Sequence, residues 1–206
     1  MPRSKSSTRW LQEHFSDPYV KKAQNENYRS RAVYKLKEIN EKEHLLHKGM
    51  TIIDLGAAPG SWAQYTSKIL NGTGKIIALD LLPITAIKDV ITIQGDFRED
   101  EILQIISTHI PATGVDIIFS DLAPNMSGTA AIDIPSAMYL AELAFDLAKQ
   151  VLKLNGTILM KVLHGNGFDT LLKCARLLFK KVTIHKPIAS RARSRETYLL
   201  AQGYNL

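Results

Sequence analysis

The chain has 206 residues, enough for one domain around a single core, with 45% hydrophobic and 22% charged residues, ordinary values for a globular protein. No uncharged apolar stretch approaches the ~20 residues needed to span a bilayer, and no apolar run follows the basic, Ser-rich start, so neither a membrane span nor a secretory signal is expected. The net charge of +6 is uneven: residues 1–35 hold eight Lys/Arg against three Asp/Glu, residues 180–196 hold six against one, and the middle is mildly acidic.

Residues 1–16 read as a loosely ordered basic arm and residues 17–206 as one folded domain. Residues 17–46 are expected to be helical, with Val33, Leu36, Ile39, Leu45 and Leu46 on an apolar face. From residue 50 strands and helices alternate. Residues 51–55 form a β-branched run closing on Asp54, and 61–70 a helix. Residues 75–79 are a second strand ending in Asp80, and 90–94 a third ending in Gly95-Asp96. A helix over 99–110 leads to a fourth strand, 115–120, ending in Asp121. Residues 135–153 carry helical spacing (Ala137, Leu140, Ala141, Ala144, Leu147, Ala148, Val151), stopped by Asn155-Gly156. Residues 157–162 are a fifth strand with Lys161 near its end. A helix over 168–178 and strands near 181–185 and 197–202 complete the chain. Cys174, the single cysteine, lies among Leu171, Leu172, Ala175 and Leu178 and reads as a small buried hydrophobe. One cysteine makes neither an intrachain disulfide nor a zinc cluster, and it fits a reducing, cytoplasmic setting.

Alternation of this kind predicts an α/β fold with a mostly parallel sheet covered by helices on both faces. Ligands of such sheets sit outside the carboxyl ends of the strands. Here those ends carry Asp54, Asp80, Asp96, Asp121 and Lys161, more charge than packing requires. The active site is expected along that edge.

The turn Asp54-Leu-Gly-Ala-Ala-Pro-Gly-Ser-Trp62 joins the first strand to its helix. Gly56 and Gly60 let the backbone bend and approach a ligand without a Cβ in the way. The G-x-G-x-x-G pattern of a pyrophosphate site is absent. The spacing suits a nucleoside without phosphates, and the flanking acids suit one with a positive sulfonium. Asp80 is placed to hold two ribose hydroxyls, and Asp96, in Gly95-Asp96-Phe97, to accept from an adenine amino group. S-adenosyl-L-methionine is therefore the expected cofactor, and methyl transfer the expected reaction.

Methylating a pyrimidine carbon needs a cysteine nucleophile, and Cys174 is badly placed for that. Methylating a base nitrogen commonly uses an Asn/Asp-Pro-Pro-aromatic loop; Ser120-Asp-Leu-Ala-Pro-Asn125 has no aromatic stacker. A sugar oxygen needs a group that steers or accepts the proton of a weakly acidic alcohol, and Lys161, following Ile158-Leu-Met160, suits that. Lys35 and Glu196 are further polar candidates that sequence position alone does not pair with Lys161. The basic segments, with Tyr and Ser interleaved at Tyr28-Arg-Ser-Arg31 and Ser190–Arg195, suit a nucleic-acid backbone if the fold brings them together.

Tyr28-Arg-Ser-Arg-Ala-Val-Tyr-Lys35, the Asp54–Trp62 turn, Ser120-Asp-Leu-Ala-Pro-Asn-Met-Ser-Gly128, Met160-Lys161 and Ser190-Arg-Ala-Arg-Ser-Arg-Glu196 jointly resemble the FtsJ family of RNA 2′-O-methyltransferases. The resemblance covers roughly residues 9–203, with the motifs in family order. It implies a Rossmann-like, seven-stranded sheet whose last strand is antiparallel. It implies a catalytic tetrad at Lys35, Asp121, Lys161 and Glu196, and cofactor contacts at Gly60, Trp62, Asp80, Asp96 and Asp121, to which Asp54, Gly56 and Phe97 are added from the turns. Among family members it is nearest those acting on large-subunit (23S) ribosomal RNA. The expected substrate is a uridine ribose, with RNA held by the surface around the active site, which favours the assembled large ribosomal subunit, and a monomer is expected. His164-Gly-Asn-Gly167 departs from the family's usual turn after the catalytic lysine. Transfer RNA remains an alternative substrate, and a non-catalytic ribosome-assembly factor an alternative class.

Overall fold

The computed structural model describes residues 17–191 and 194–205. The expected arm over 1–16 lies outside the described residues, as does Arg193 of the second basic segment.

The region expected as one helical stretch is two helices, α1 (Pro18–Asn25) and α2 (Val33–Glu43). Asp17 caps α1 by accepting from the Tyr19 amide at 2.9 Å, with Pro18 at the first helical position. At the other end Asn27 takes φ 55°, and the amides of Asn27 and Tyr28 bond back to Gln24 and Ala23 at 3.2 and 2.8 Å. These are the paired bonds of a Schellman stop. An asparagine can take this left-handed turn, but apolar periodicity gives no sign of it.

The core alternates as expected: β1 (Thr51–Leu55), α3 (Ser61–Leu70), β2 (Lys75–Asp80), β3 (Val90–Gln94), α4 (Asp100–His109), β4 (Val115–Ser120), α5 (Ala130–Val151), β5 (Leu152–Leu163), α6 (Phe168–Leu178), β6 (Phe179–His185) and β7 (Glu196–Tyr204). The seven strands form one sheet in the order β3-β2-β1-β4-β5-β7-β6, parallel except for β7, which runs antiparallel to both neighbours. The chain winds outward from β1 through β2 and β3, then from β4 through β5. The crevice at the carboxyl ends of β1 and β4 is therefore the topological switch point.

Two boundaries moved, each for a tertiary reason. α5 begins at Ala130, five residues before the expected start, and Pro135 sits in its second turn. The buried Asp133 carboxylate fixes that start: it accepts from the Ser127 amide and hydroxyl at 2.7 and 2.8 Å and the Gly128 amide at 3.0 Å. At its other end α5 stops at Val151, and Asn155-Gly156, with Asn155 at φ 62°, lies within β5. Pairing skips there from Val115↔Leu152 to Ile117↔Thr157, so the expected helix stop is a bulge.

Both faces of the sheet are covered. α4, α5 and α6 pack on one side, with Ile106, Phe145 and Phe168; α2 and α3 pack on the other, with Leu36, Ile39 and Trp62. Cys174 corrects the sequence expectation. It is exposed, because α6 turns Leu171 and Ala175 inward and leaves position 174 facing solvent. Among the described residues no helix is long and apolar enough to cross a membrane.

Candidate active site

β1 is buried along its whole length, and the chain leaves it in a turn held on both sides. The Gly56 and Ala57 amides donate to Leu79 O at 3.0 and 3.1 Å, and the Asp121 amide to Leu55 O at 3.0 Å. Gly56 has φ +72°, and a Cβ on it would lie 3.0 Å from the Leu122 nitrogen. Gly60, at φ +100°, caps α3, and its Cβ would meet Ile87 at 2.7 Å and the Arg29 guanidinium at 3.0 Å. Both positions thus require glycine for conformation and for space. Asp80 ties this turn to the next, accepting from the Ala58 and Leu82 amides, each at 2.9 Å.

Asp54 is 1% exposed and neither carboxylate oxygen makes a well-formed hydrogen bond. Burial pushes its carboxyl well above the usual range and the nearby Asp121 and Asp80 charges push the same way; the Ala63 amide, which favours the charged form, does not offset them. A carboxyl raised in this way holds a proton in the folded state that the unfolded chain has released. Its contribution to stability therefore falls as pH rises from about 4, the unfolded value, toward the folded value. Asp54→Asn cannot ionise. In the cofactor-free protein its stability is expected to gain on wild type as pH rises through that window. Thermal denaturation of both proteins across the pH range checks this, and parallel curves would place the titration elsewhere.

Three other expected cofactor contacts are placed differently from one another. The Trp62 indole is 2% exposed; it donates to Ala32 O at 2.8 Å and its ring lies 5.6 Å from Phe119 and 5.7 Å from Tyr198. Phe97 is buried in the core on the opposite face of the sheet. Phe97 thus turns away from the crevice, whereas Trp62 lines a small cavity at the glycine turn with Asp54, Gly56 and Asp121. The Asp96 carboxylate pairs with Arg98, at 2.9 Å from Nε and 2.5 Å from Nη2, and this pairing holds its carboxyl below the usual range. Any adenine amino group would share that carboxylate with the guanidinium.

The four candidate catalytic residues converge. Lys161 Nζ lies 3.0 Å from Asp121 Oδ1 and donates to the Asp121 main-chain oxygen at 2.6 Å. Lys35 Nζ lies 2.7 Å from Glu196 Oε1. Burial alone would raise the Asp121 carboxyl, but Lys161 and Lys35 outweigh it and hold the group ionised below its usual range. Antiparallel pairing explains the convergence: Lys161 stands opposite Tyr198 and Leu163 opposite Glu196, so β7 delivers its side chains beside the end of β5. Two further residues belong to this cluster. The buried Tyr198 hydroxyl donates to Asp121 Oδ1 at 2.7 Å, and Ser190 Oγ to Glu196 Oε1 at 2.9 Å. Tyr198 was legible in principle, two residues after Glu196 and hence on the same face of the strand. Ser190 became visible only through the loop's path.

The cluster opens into a cleft of about 1540 Å³. Arg31 and Lys35 from the first basic segment and Arg191 and Arg195 from the second line it, so the two segments meet. The facing wall is apolar, with Leu122, Pro124, Met126 and Ile134. The two glycines of the His164–Gly167 turn have a packing cause: a Cβ on Gly165 would lie 2.5 Å from Ile134, and one on Gly167 2.9 Å from Met138, both residues of α5.

The FtsJ-like methyltransferase family matches residues 28–204, which takes in the whole sheet and every residue of the cluster. This chain is an FtsJ-like methyltransferase. It is similar to the ribosomal RNA large subunit methyltransferase E of Legionella pneumophila (strain Corby), 62% identical over 206 residues and 100% of both chains. The enzyme of that name from Hydrogenovibrio crunogenus is 55% identical over 203 residues, 98% of each chain. Among solved structures it is similar to a ribosomal RNA methyltransferase from Plasmodium falciparum, with TM-score 0.77 and 29% identity over 86% of this chain and 98% of that one. Aeropyrum pernix fibrillarin, solved with bound S-adenosyl-L-methionine, shares the fold at TM-score 0.57 and 20% identity, over 82% of this chain and 73% of its own.

S-adenosyl-L-methionine is the methyl donor of an FtsJ-like enzyme, and the turn after β1 fits it. Two glycines leave the backbone open, the Asp54 carboxyl is buried without a well-formed hydrogen bond, and the negative charges of Asp80 and Asp121 beside it suit a cation.

Proposed function

We propose that this FtsJ-like methyltransferase methylates the 2′-hydroxyl of a ribose in large-subunit ribosomal RNA, a uridine ribose, with the assembled subunit as substrate. The observation that carries the reading is the placement of Lys161: its Nζ is held by two oxygens of Asp121 at the floor of a cleft walled by Arg31, Lys35, Arg191 and Arg195. The donor supplies an electrophilic methyl group on a positive sulfonium. The protein must bring a ribose oxygen into line with it and deal with that oxygen's proton.

The residues divide as follows. Gly56, Gly60, Asp54 and Asp80 would hold the donor, and Asp121 would favour its positive charge electrostatically. Asp121 also fixes Lys161, using two of its three donor directions; once the third N–H has given its proton to solvent, a lone pair faces the cleft. Lys161 then steers the 2′-hydroxyl and takes its proton. Lys35, fixed by Glu196 and through it by Ser190, presents a second cation to the sugar. The arginines hold phosphates, so that RNA shape and backbone select the site. The names of the similar proteins from Legionella and Hydrogenovibrio support the ribosomal substrate.

The test is methyl transfer from labelled S-adenosyl-L-methionine to undermodified large subunits, with transfer RNA and capped RNA in parallel. Label in subunit RNA, at a uridine ribose, is expected. Label in transfer RNA alone would keep the chemistry and overturn the substrate. Bound donor without label in any RNA would favour an assembly factor.

A further inference from the structure

The segment between α1 and α2 faces both halves of the site. On one side Ser30, Arg31 and Ala32 line the cleft, with Lys35 one turn further on. On the other, Arg29 reaches across the donor cradle: Nη1 donates to Pro59 O at 3.0 Å and Thr85 O at 2.6 Å, and Nη2 to Ala86 O at 2.8 Å. Pro59 belongs to the turn after β1, and Thr85 and Ala86 to the loop after β2. One guanidinium therefore fastens together the two loops that carry Gly60 and follow Asp80, and it lies where a Gly60 Cβ would touch it.

The same segment is fastened to α3 at several further points. The Arg29 amide donates to Gln64 Oε1 at 3.1 Å, Gln64 Nε2 to Asn27 O at 2.8 Å, and Ser30 Oγ to Ser61 Oγ at 2.9 Å. Arg31 in turn contacts Ala189 O, two residues before Arg191 of the cleft, and pairs with Asp17. A chain of direct contacts thus runs from the donor cradle to the RNA-facing loop through consecutive residues.

We propose that Arg29 is a positioning residue that closes the donor cradle and, through residues 27–32, couples donor binding to RNA binding. The proposal rests on the reading of the site given above. A guanidinium can do this because it is a planar fork able to reach two loops at once; an ammonium on a flexible stem is a single point. Ordering the two loops around a bound donor fixes Arg29, and a fixed Arg29 orders Ser30 and Arg31. RNA then meets a segment whose ordering has already been met, and by reciprocity RNA tightens the donor site by the same factor.

The experiment measures S-adenosylhomocysteine binding by calorimetry and methyl-transfer kinetics for wild type, Arg29→Ala, Arg29→Lys and Gln64→Ala. Subunit RNA affinity is measured with and without S-adenosylhomocysteine. Arg29→Ala and Arg29→Lys are both expected to raise the donor Kd and KM by roughly tenfold, the scale of lost charge-assisted hydrogen bonds, with kcat at saturating donor near wild type. Wild-type RNA affinity is expected to rise about fivefold or more with S-adenosylhomocysteine present, and Arg29→Ala to lose that rise. Gln64→Ala shifts KM in the same direction and carries the test should Arg29→Ala fail to fold. Donor affinity unchanged in Arg29→Ala, or full restoration by Arg29→Lys, overturns the proposal and leaves Arg29 as a phosphate contact. A wild-type protein that binds no donor overturns instead the reading of the site on which the proposal stands.

Discussion

Lys161→Ala is expected to lower turnover by about 10²–10⁴-fold, the range general acid–base groups supply, while donor affinity stays near wild type. The geometry separates the two quantities. Lys161 touches Asp121 and the cleft, not the glycine turn, so the cradle survives its removal. Asp121 keeps the Tyr198 hydroxyl at 2.7 Å and the Lys35 charge, so it stays ionised and in place. Removing a cation near the sulfonium also leaves no electrostatic reason for the donor to leave. Single-turnover methyl transfer with saturating subunits, beside calorimetric donor binding, reads the split. Lys161→Arg sharpens it: an arginine keeps the charge but does not give up a proton in proteins. If Lys161→Arg is as slow as Lys161→Ala, the lysine takes the proton. If it recovers most of the rate, the lysine acts through its charge. Loss of donor binding in step with turnover would make Lys161 a structural residue.

What the sequence revealed follows from how local each signal is. The strand ends and the glycine turn were legible because Asp54, Gly56 and Gly60 are dictated by the residues around them: a buried strand, a left-handed turn, a helix start. The four polar residues could be named from the sequence, but only the resemblance joined them. Lys35 precedes the sheet and Glu196 opens its last strand, and only antiparallel pairing of β7 with β5 brings Glu196 beside the lysine. The boundaries that moved share one cause. Asn27 ended a helix, Asp133 began one, and Asn155 bent a strand, each through a polar side chain or a left-handed residue that apolar periodicity does not register. Trp62 carries more than its motif reading: its place in the glycine turn suggested a donor contact, and its ring is also packed into the core.

That placement leads to the largest expected loss of stability. Trp62→Ala is expected to cost about 3–5 kcal/mol, the usual penalty for deleting a buried tryptophan, out of a total on the order of 5–15 kcal/mol. The indole fills the space between Phe119 on β4 and Tyr198 on β7, and its N–H donates to Ala32 O at the start of α2, which alanine would leave with the Lys35 amide alone, at 3.1 Å. Urea denaturation of the donor-free protein measures the loss. Trp62→Phe, which keeps a ring against Phe119 but not the hydrogen bond, is expected to lose less and to bind the donor nearly as wild type. A stable Trp62→Phe that fails to bind would instead make the indole a donor contact. The consequence for catalysis runs through Tyr198. The ring that packs on Trp62 carries the hydroxyl that holds Asp121, and Asp121 holds Lys161. A cavity at position 62 therefore loosens the base as well as the core. Trp62→Ala, assayed at a temperature where it remains folded, is expected to lose turnover beyond its loss of folded fraction.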